Sequence, residues 1–202
     1  TTIGFTEDKR KEAGSQFVDV GIAEEHAIAF ASGIAKNGGK PVFATHSSFM
    51  QRTYDQLSQD LCINGNAATI LVNTASIYGM NDVTHLGIYD IAMMSNIPNL
   101  VYLAPTNSEE YFAMLDWSIE QNQYPVAIRI PCNGVIHADG VKVDTDYSIL
   151  NKYQVNKEGS KIAILALGDF YNIGEEVAKA IEEKSGIAPT LINPRYITGL
   201  DV

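Results

Sequence analysis

Glu24, Glu25 and His26 are consecutive in the chain, and two further imidazoles, His46 and His85, follow at wider spacing. Carboxylates and imidazoles are the side chains that move protons near neutral pH, which makes general acid–base chemistry the first reading. Acidic residues at a helix start also complement the positive end of its dipole, so residue type alone leaves a structural role open beside the chemical one. A metal site assembled from Glu25, His26, His46 and His85 is a third reading, although no two of them show the spacing that dedicated zinc sites favour. Other chemistries are excluded by what is missing. The chain has no GxSxG nucleophile elbow, no GxGxxG and no P-loop.

The elements that must position these groups follow from hydrophobic pattern. Phe17 to Val20 is a short β-branched apolar run that reads as a buried strand, broken by Gly21. Ala23, Ala27, Ala31 and Ile34 then recur at helical spacing to Lys36, predicting a helix with one closely packed face that ends at Asn37-Gly38-Gly39. Strands are predicted at 41–45, 68–73, 100–104 and 125–130, with helices at 48–63, 88–95 and 108–121. The alternation means βαβ units: an α/β fold with a doubly wound, mostly parallel sheet and helices on both faces. Ligands of such sheets bind outside the carboxyl ends of the strands, and His26, His46 and His85 all fall there. Residues 131–160 break the rhythm with Pro131, Gly134, Gly140 and Gly159. A strand at 161–167, a helix at 173–184 and a strand at 190–192 then start a second α/β domain, which reads as truncated because about forty residues make no independent core.

Composition narrows the class. The 202 residues are 46% apolar and 19% charged with a net charge of −10. Without a polybasic run, nucleic acid and anionic membranes are poor partners. The longest apolar runs are strand-sized, too short to span a bilayer. Cys62 and Cys132 stand far apart with no CxxC, which fits a reducing compartment and predicts a cytoplasmic protein.

Several stretches, taken together and in order, resemble a known family. They are Gly21-Ile22-Ala23-Glu24-Glu25-His26-Ala27, Ser47-Ser48-Phe49-Met50-Gln51-Arg52-Thr53-Tyr54-Asp55-Gln56, Thr84-His85-Leu86-Gly87, Ile97-Pro98-Asn99-Leu100 and Ala127-Ile128-Arg129. The chain is similar to the pyrimidine-binding domain of the transketolase family. The subgroup of 1-deoxy-D-xylulose 5-phosphate synthases and split transketolase C-terminal subunits is the nearest in pattern. The resemblance implies a pyrimidine-binding domain at 1–135, a linker at 136–160 and the start of the family's C-terminal domain at 161–202.

It also implies thiamin diphosphate as cofactor and transfer of a two-carbon ketol or acyl unit between sugar phosphates or 2-oxo acids. Glu24 matches the glutamate that hydrogen-bonds N1′ of the aminopyrimidine, Phe49 matches the aromatic stacked on that ring, and Arg52 joins them as cofactor-binding. His85 matches a substrate-side histidine, and Glu24 and His85 are the implied catalytic pair. His46, Asn81, Asp82 and Arg129 are substrate-side candidates. Mg²⁺ and the diphosphate belong to a separate domain with a GDG motif, which has no counterpart here. The implied partners are therefore that domain or subunit, in a homodimer or heterotetramer, and no metal ligand is expected in this chain.

The pattern departs from the deoxyxylulose synthases at four places. His46 replaces a tyrosine, Asn73-Thr74-Ala75-Ser76 replaces Asp-Arg-Ala-Gly, Asn81 replaces an aspartate, and Pro131-Cys132-Asn133 stands where a second arginine is expected. Two guanidinium clamps for phosphate are thereby absent. The resemblance covers a transketolase-like relative acting on another ketose or 2-oxo acid equally well. Outside catalysis, the same pattern suits a non-catalytic scaffold subunit, and the histidine rim suits a metal-dependent hydrolase.

Overall fold

The computed structural model describes residues 5–77 and 82–202. Helix α1 (Glu7–Ala13) leads into an extended stretch, and helix α2 (Glu24–Lys36) follows. Strands β1 (Val42–His46), β2 (Thr69–Ala75), β3 (Val101–Leu103) and β4 (Val126–Pro131) form a four-stranded sheet of order β1-β2-β4-β3, with every neighbouring pair parallel. Helices α3 (Asp90–Met94) and α4 (Ser108–Glu120) complete the first half. The α/β class and the parallel sheet expected from the alternation are both present.

Alternation of side chains along the strands explains why helices cover both faces. Ile70, Val72, Tyr102 and Ala127 point into a core with Ile28 and Ala31 of α2 and with Met50, Leu57 and Leu61. Their neighbours in sequence, Val101, Leu103, Val126 and Ile128, point the other way, onto Met114 and Trp117 of α4. Successive strand residues alternate faces, so apolar residues at both parities demand two covers.

Two sequence expectations need correction. Phe17 to Val20 is extended but joins no strand among the described residues, and Val18 is 54% exposed. The run follows a 3₁₀ turn, Gly14–Gln16, and ends in a turn where Asp19 Oδ1 accepts the Gly21 N–H at 2.9 Å, instead of pairing with β1. Its β-branched composition gave the propensity, but among the described residues no strand pairs with it. The helix expected over 48–63 is also irregular. It runs as a 3₁₀ segment, Ser47–Thr53, and then a π segment, Gln56–Cys62. Both are uncommon forms that tend to mark functional sites.

The C-terminal part holds a three-stranded sheet of order β5-β7-β6, made of β5 (Gln154–Lys157), β6 (Ala163–Leu165) and β7 (Thr190–Asn193), with helix α5 (Tyr171–Ser185) packed beside it. β5 lies within the stretch read as a linker and pairs antiparallel to β7. Residues after β7 close the exposed edge of the first sheet. Ala104 donates to the Arg195 carbonyl at 2.8 Å, and Ile197 donates to the Tyr102 carbonyl at 2.7 Å. Covering that edge removes an open row of backbone groups.

Glu110 fixes this joint. Asn107 caps α4 by accepting the Glu110 N–H at 2.8 Å, while the Glu110 carboxylate reaches back to the Thr106 N–H at 2.8 Å and its hydroxyl at 2.9 Å. The other oxygen accepts from Asn193 of β7 at 3.0 Å. This is a capping box shifted by one residue and extended across to the second sheet. Burial pushes the Glu110 carboxyl above the usual carboxylate range, against the bonds from Thr106 and the charge of Arg195. A raised folded-state value means the stabilisation is complete below the unfolded value and is lost as pH rises through the folded one. Replacing Glu110→Ala is expected to cost about 2–3 kcal/mol, because the Thr106 and Asn193 donors lose their acceptor. In urea titrations, the stability of the parent relative to Glu110→Gln should be greater near about pH 4.5 than near about pH 8.

Candidate functional site

The site lies where β1 and β2 end and the 3₁₀ segment begins. In a helix of three residues per turn, positions three apart share one side, so Phe49 and Arg52 form a single stripe, with His46 the extended residue just before the segment. Phe49 lies edge-on to both imidazoles, 5.4 Å from His46 and 5.3 Å from His85 between ring centroids. Arg52 faces the start of α2, with Nη1 3.3 Å from Glu24 Oε2 and Nη2 3.4 Å from Glu25 Oε1. The stripe thus joins the carboxylate at one end to the imidazole pair at the other.

Glu24 is 6% exposed, an unusual state for a carboxylate. The Arg52 contact is a charge contact only, and Glu24 Oε2 has no hydrogen-bond partner. The buried hydroxyls of Ser47 and Ser48 are likewise without partners. A buried acceptor left unpaired costs free energy, which a ligand donor would return. An aromatic heterocycle with a ring N–H toward Glu24 and a face toward Phe49 fits these groups.

The imidazoles are held differently. His85 Nδ1 lies 3.0 Å from Asp82 Oδ2 and 2.8 Å from the Thr84 hydroxyl, while Asp82 Oδ1 accepts from the Thr84 N–H and hydroxyl at 2.8 and 2.7 Å. A carboxylate only accepts, so Nδ1 carries the proton and Nε2 of neutral His85 is an acceptor. The Thr84 bonds, chiefly, hold the exposed Asp82 carboxyl below its ordinary range. His46 Nδ1 lies 2.5 Å from the Thr74 hydroxyl. Burial, and then the neighbouring His85, lower the His46 value below that of a free imidazole.

Of the residues singled out in the sequence, the structure brings together Glu24, Arg52, Phe49, His46, His85 and Asp82. His26 is not among them. It is exposed and stacks on Phe30 of its own helix, with centroids 5.9 Å apart. The expectation of three histidines on one rim is corrected to two, because two residues of α-helix turn His26 by about 200° from Glu24, onto the opposite face of α2. Among the described residues, no group of three or more His, Cys, Asp and Glu side chains is placed to hold a metal ion. Asn81 lies outside the described residues.

Arg129 is present but turned inward. It is 9% exposed, with Nε 2.8 Å from Asp90 Oδ2 and Nη2 donating to the Gly87 carbonyl at 3.0 Å. Tyr102 donates its hydroxyl to the same Asp90 oxygen. Burial works against the Arg129 charge, but the bond and charge of Asp90 outweigh it and raise the value further. Sequence reasoning missed Thr74, Ser76, Asp90 and Asp169 around the site, since a lone polar residue after a strand carries no pattern.

Comparison with known proteins bears on this geometry. Residues 4–134 match the family described as transketolase, pyrimidine binding domain. The chain is 38% identical over 193 residues to a 1-deoxy-D-xylulose-5-phosphate synthase of Natranaerobius thermophilus and 40% identical over 191 residues to one of Alkaliphilus oremlandii, in each case over 95% of this chain. It spans about 30% of the length of each of these relatives. A split gene transketolase, solved as an inactive beta4 tetramer, superposes with a TM-score of 0.79 at 24% identity over 94% of this chain and 61% of that one. A transketolase of Pichia stipitis, solved with sedoheptulose-7-phosphate, gives 0.66 at 18% identity over 77% of this chain and 23% of that one. Both structural likenesses speak for the fold.

The His46 environment gives a direct check. Its imidazole should titrate below about 6.5 by NMR, and His85→Ala should raise that midpoint part of the way, leaving the burial effect in place. Because the folded value is lowered, its contribution to stability is present above the unfolded value and lost as pH falls through the folded one.

Proposed function

The chain belongs to the transketolase pyrimidine-binding domain family, and from that premise we propose that it supplies the pyrimidine-facing half of the active site in a thiamin-diphosphate-dependent transferase. The reaction is transfer of a two-carbon ketol or acyl unit between sugar phosphates or 2-oxo acids. The observation that carries this reading is the buried Glu24 carboxylate, whose Oε2 has no hydrogen-bond partner and meets only the charge of Arg52, from the segment that also carries Phe49. The reading takes residues 1–135 as the pyrimidine-binding domain, 136–160 as a linker and 161–202 as the start of a C-terminal domain.

When bound, the cofactor supplies the electron sink for breaking and forming a bond beside a carbonyl. This chain's residues do the rest of what can be assigned to it. Glu24 Oε2 receives the ring N–H at N1′ and holds that proton, in a setting dry enough for the bond to be strong. Phe49 gives the ring a stacking face. Arg52 offsets the paired charges of Glu24 and Glu25 and keeps the Glu24 carboxylate turned toward the stripe. His85, with Nδ1 tied to Asp82, presents Nε2 to the substrate as an acceptor, or as a donor after protonation. His46, also against Phe49, is held toward its neutral form by burial and by His85.

The diphosphate and its Mg²⁺ are assigned to a diphosphate-binding domain or subunit, in a homodimer or heterotetramer that closes over the ring. A cytoplasmic setting belongs to the same reading, in keeping with Cys62 and Cys132 both being free thiols.

The test is reconstitution with the diphosphate-binding counterpart. Glu24→Gln, which keeps shape but not charge, should lower kcat by about 10²- to 10⁴-fold. Phe49→Ala should weaken cofactor binding by roughly tenfold, from the lost stacking. The chain alone should show no turnover. Unchanged turnover in Glu24→Gln would leave only the scaffold role.

A further inference from the structure

The two imidazoles reach Phe49 because a loop closes on a narrow neck, and the neck is held from below. Its two described ends, residues 74–77 and 82–87, meet where the Ser76 N–H donates to the Gly87 carbonyl at 2.8 Å. The approach is close enough that a Cβ on Gly87 would come within 2.1 Å of the Thr74 carbonyl oxygen. Thr74 and Ser76 both take positive φ, 56° and 73°, at the register shift that ends β2. Non-glycine residues persist there only where their surroundings enforce it.

The enforcing groups are the Arg129 guanidinium and a carboxylate from the second sheet's side. Arg129 donates to the same Gly87 carbonyl, and Asp169, just after β6, accepts the Ser76 hydroxyl at 2.5 Å. Arg129 Nη1 lies 4.0 Å from the other Asp169 oxygen, closing a ring of contacts at the base of a cleft of about 500 Å³. Above the neck, Thr74 carries the His46 bond, and His85 sits two residues before Gly87.

We propose that Asp169 and Arg129 are positioning residues that hold Ser76 and Gly87 together, and through that neck set His46 and His85 against the Phe49 ring. Arg129 is thereby assigned to the loop's foundation and not to substrate, and Asp169 makes the site depend on the second sheet. For catalysis the proposal rests on the function proposed above; for the placement of the imidazoles it does not.

The test therefore has two arms. In this chain, Asp169→Ala and Ser76→Ala remove the same bond from opposite sides, and the small Ser76→Ala change keeps the test alive should Asp169→Ala unfold. NMR of the imidazoles should show the His46 midpoint moving up toward its ordinary value and the His85 resonances shifting, with Tm close to the parent's. A role confined to stability predicts the reverse, a lower Tm with both imidazoles unmoved, and that result would overturn the proposal. In the reconstituted transferase the same variants should lower kcat by about 10- to 100-fold, as small misplacements of reacting groups do, with cofactor affinity unchanged. If the parent shows no turnover, the function fails, but the imidazole measurement still decides the positioning role.

Discussion

A parallel sheet cannot be closed by hairpins. Each connection must cross a face and return, so helices cover both faces and the carboxyl ends of the strands collect along one edge. In this chain that constraint places the end of β1 beside the end of β2, with His46 in register with Asn73. The 3₁₀ segment leaves from one end and the neck of the 74–87 loop from the other. Everything assigned a chemical role hangs from that pair of strand ends or from the helix start opposite.

The buried ionisable groups sort into two kinds. Glu110, Asp90 and Arg129 are buried but provided for. Glu110 collects donors from Thr106 and Asn193, and Asp90 is shared between a phenol and a guanidinium. Such groups tie elements together, and removing one partner costs more than the pair contributes. Glu24 differs, since its buried oxygen meets a cation at charge distance and no hydrogen-bond donor. Asp90 Oδ1 and Glu25 Oε2 are unpaired as well, but the other oxygen of each accepts a hydrogen bond, from Tyr102 and Arg129 in one case and from Arg52 in the other.

Much of this was legible in the sequence. Periodicity located all four strands of the parallel sheet, and the resemblance to a known family singled out Glu24, Phe49, Arg52 and His85 as candidates. The rest was not legible for physical reasons. Phe17 to Val20 has strand composition, but whether a strand forms depends on a neighbour to pair with, which local sequence does not encode. The 48–63 segment has helical spacing, yet whether it winds as 3₁₀, α or π depends on packing against α2. Arg129 illustrates the deepest limit. An arginine at a strand end reads as a ligand for phosphate, and only the fold reveals Asp90 beneath it.

The charge balance at the rim bears on what the proposed site would receive. Its two guanidiniums, Arg52 and Arg129, each face a carboxylate already, at Glu24 and Glu25 in one case and Asp90 in the other. A bidentate fork occupied in this way has little left to offer a phosphate. His46 is held toward its neutral form, and Asp82 brings a negative charge beside His85. On the proposed reading, this chain therefore offers its substrate hydrogen bonds from imidazole rather than fixed positive charge. Groups that neutralise an anionic substrate would then come from the counterpart domain, so the division of labour between the two would extend from the cofactor to the substrate.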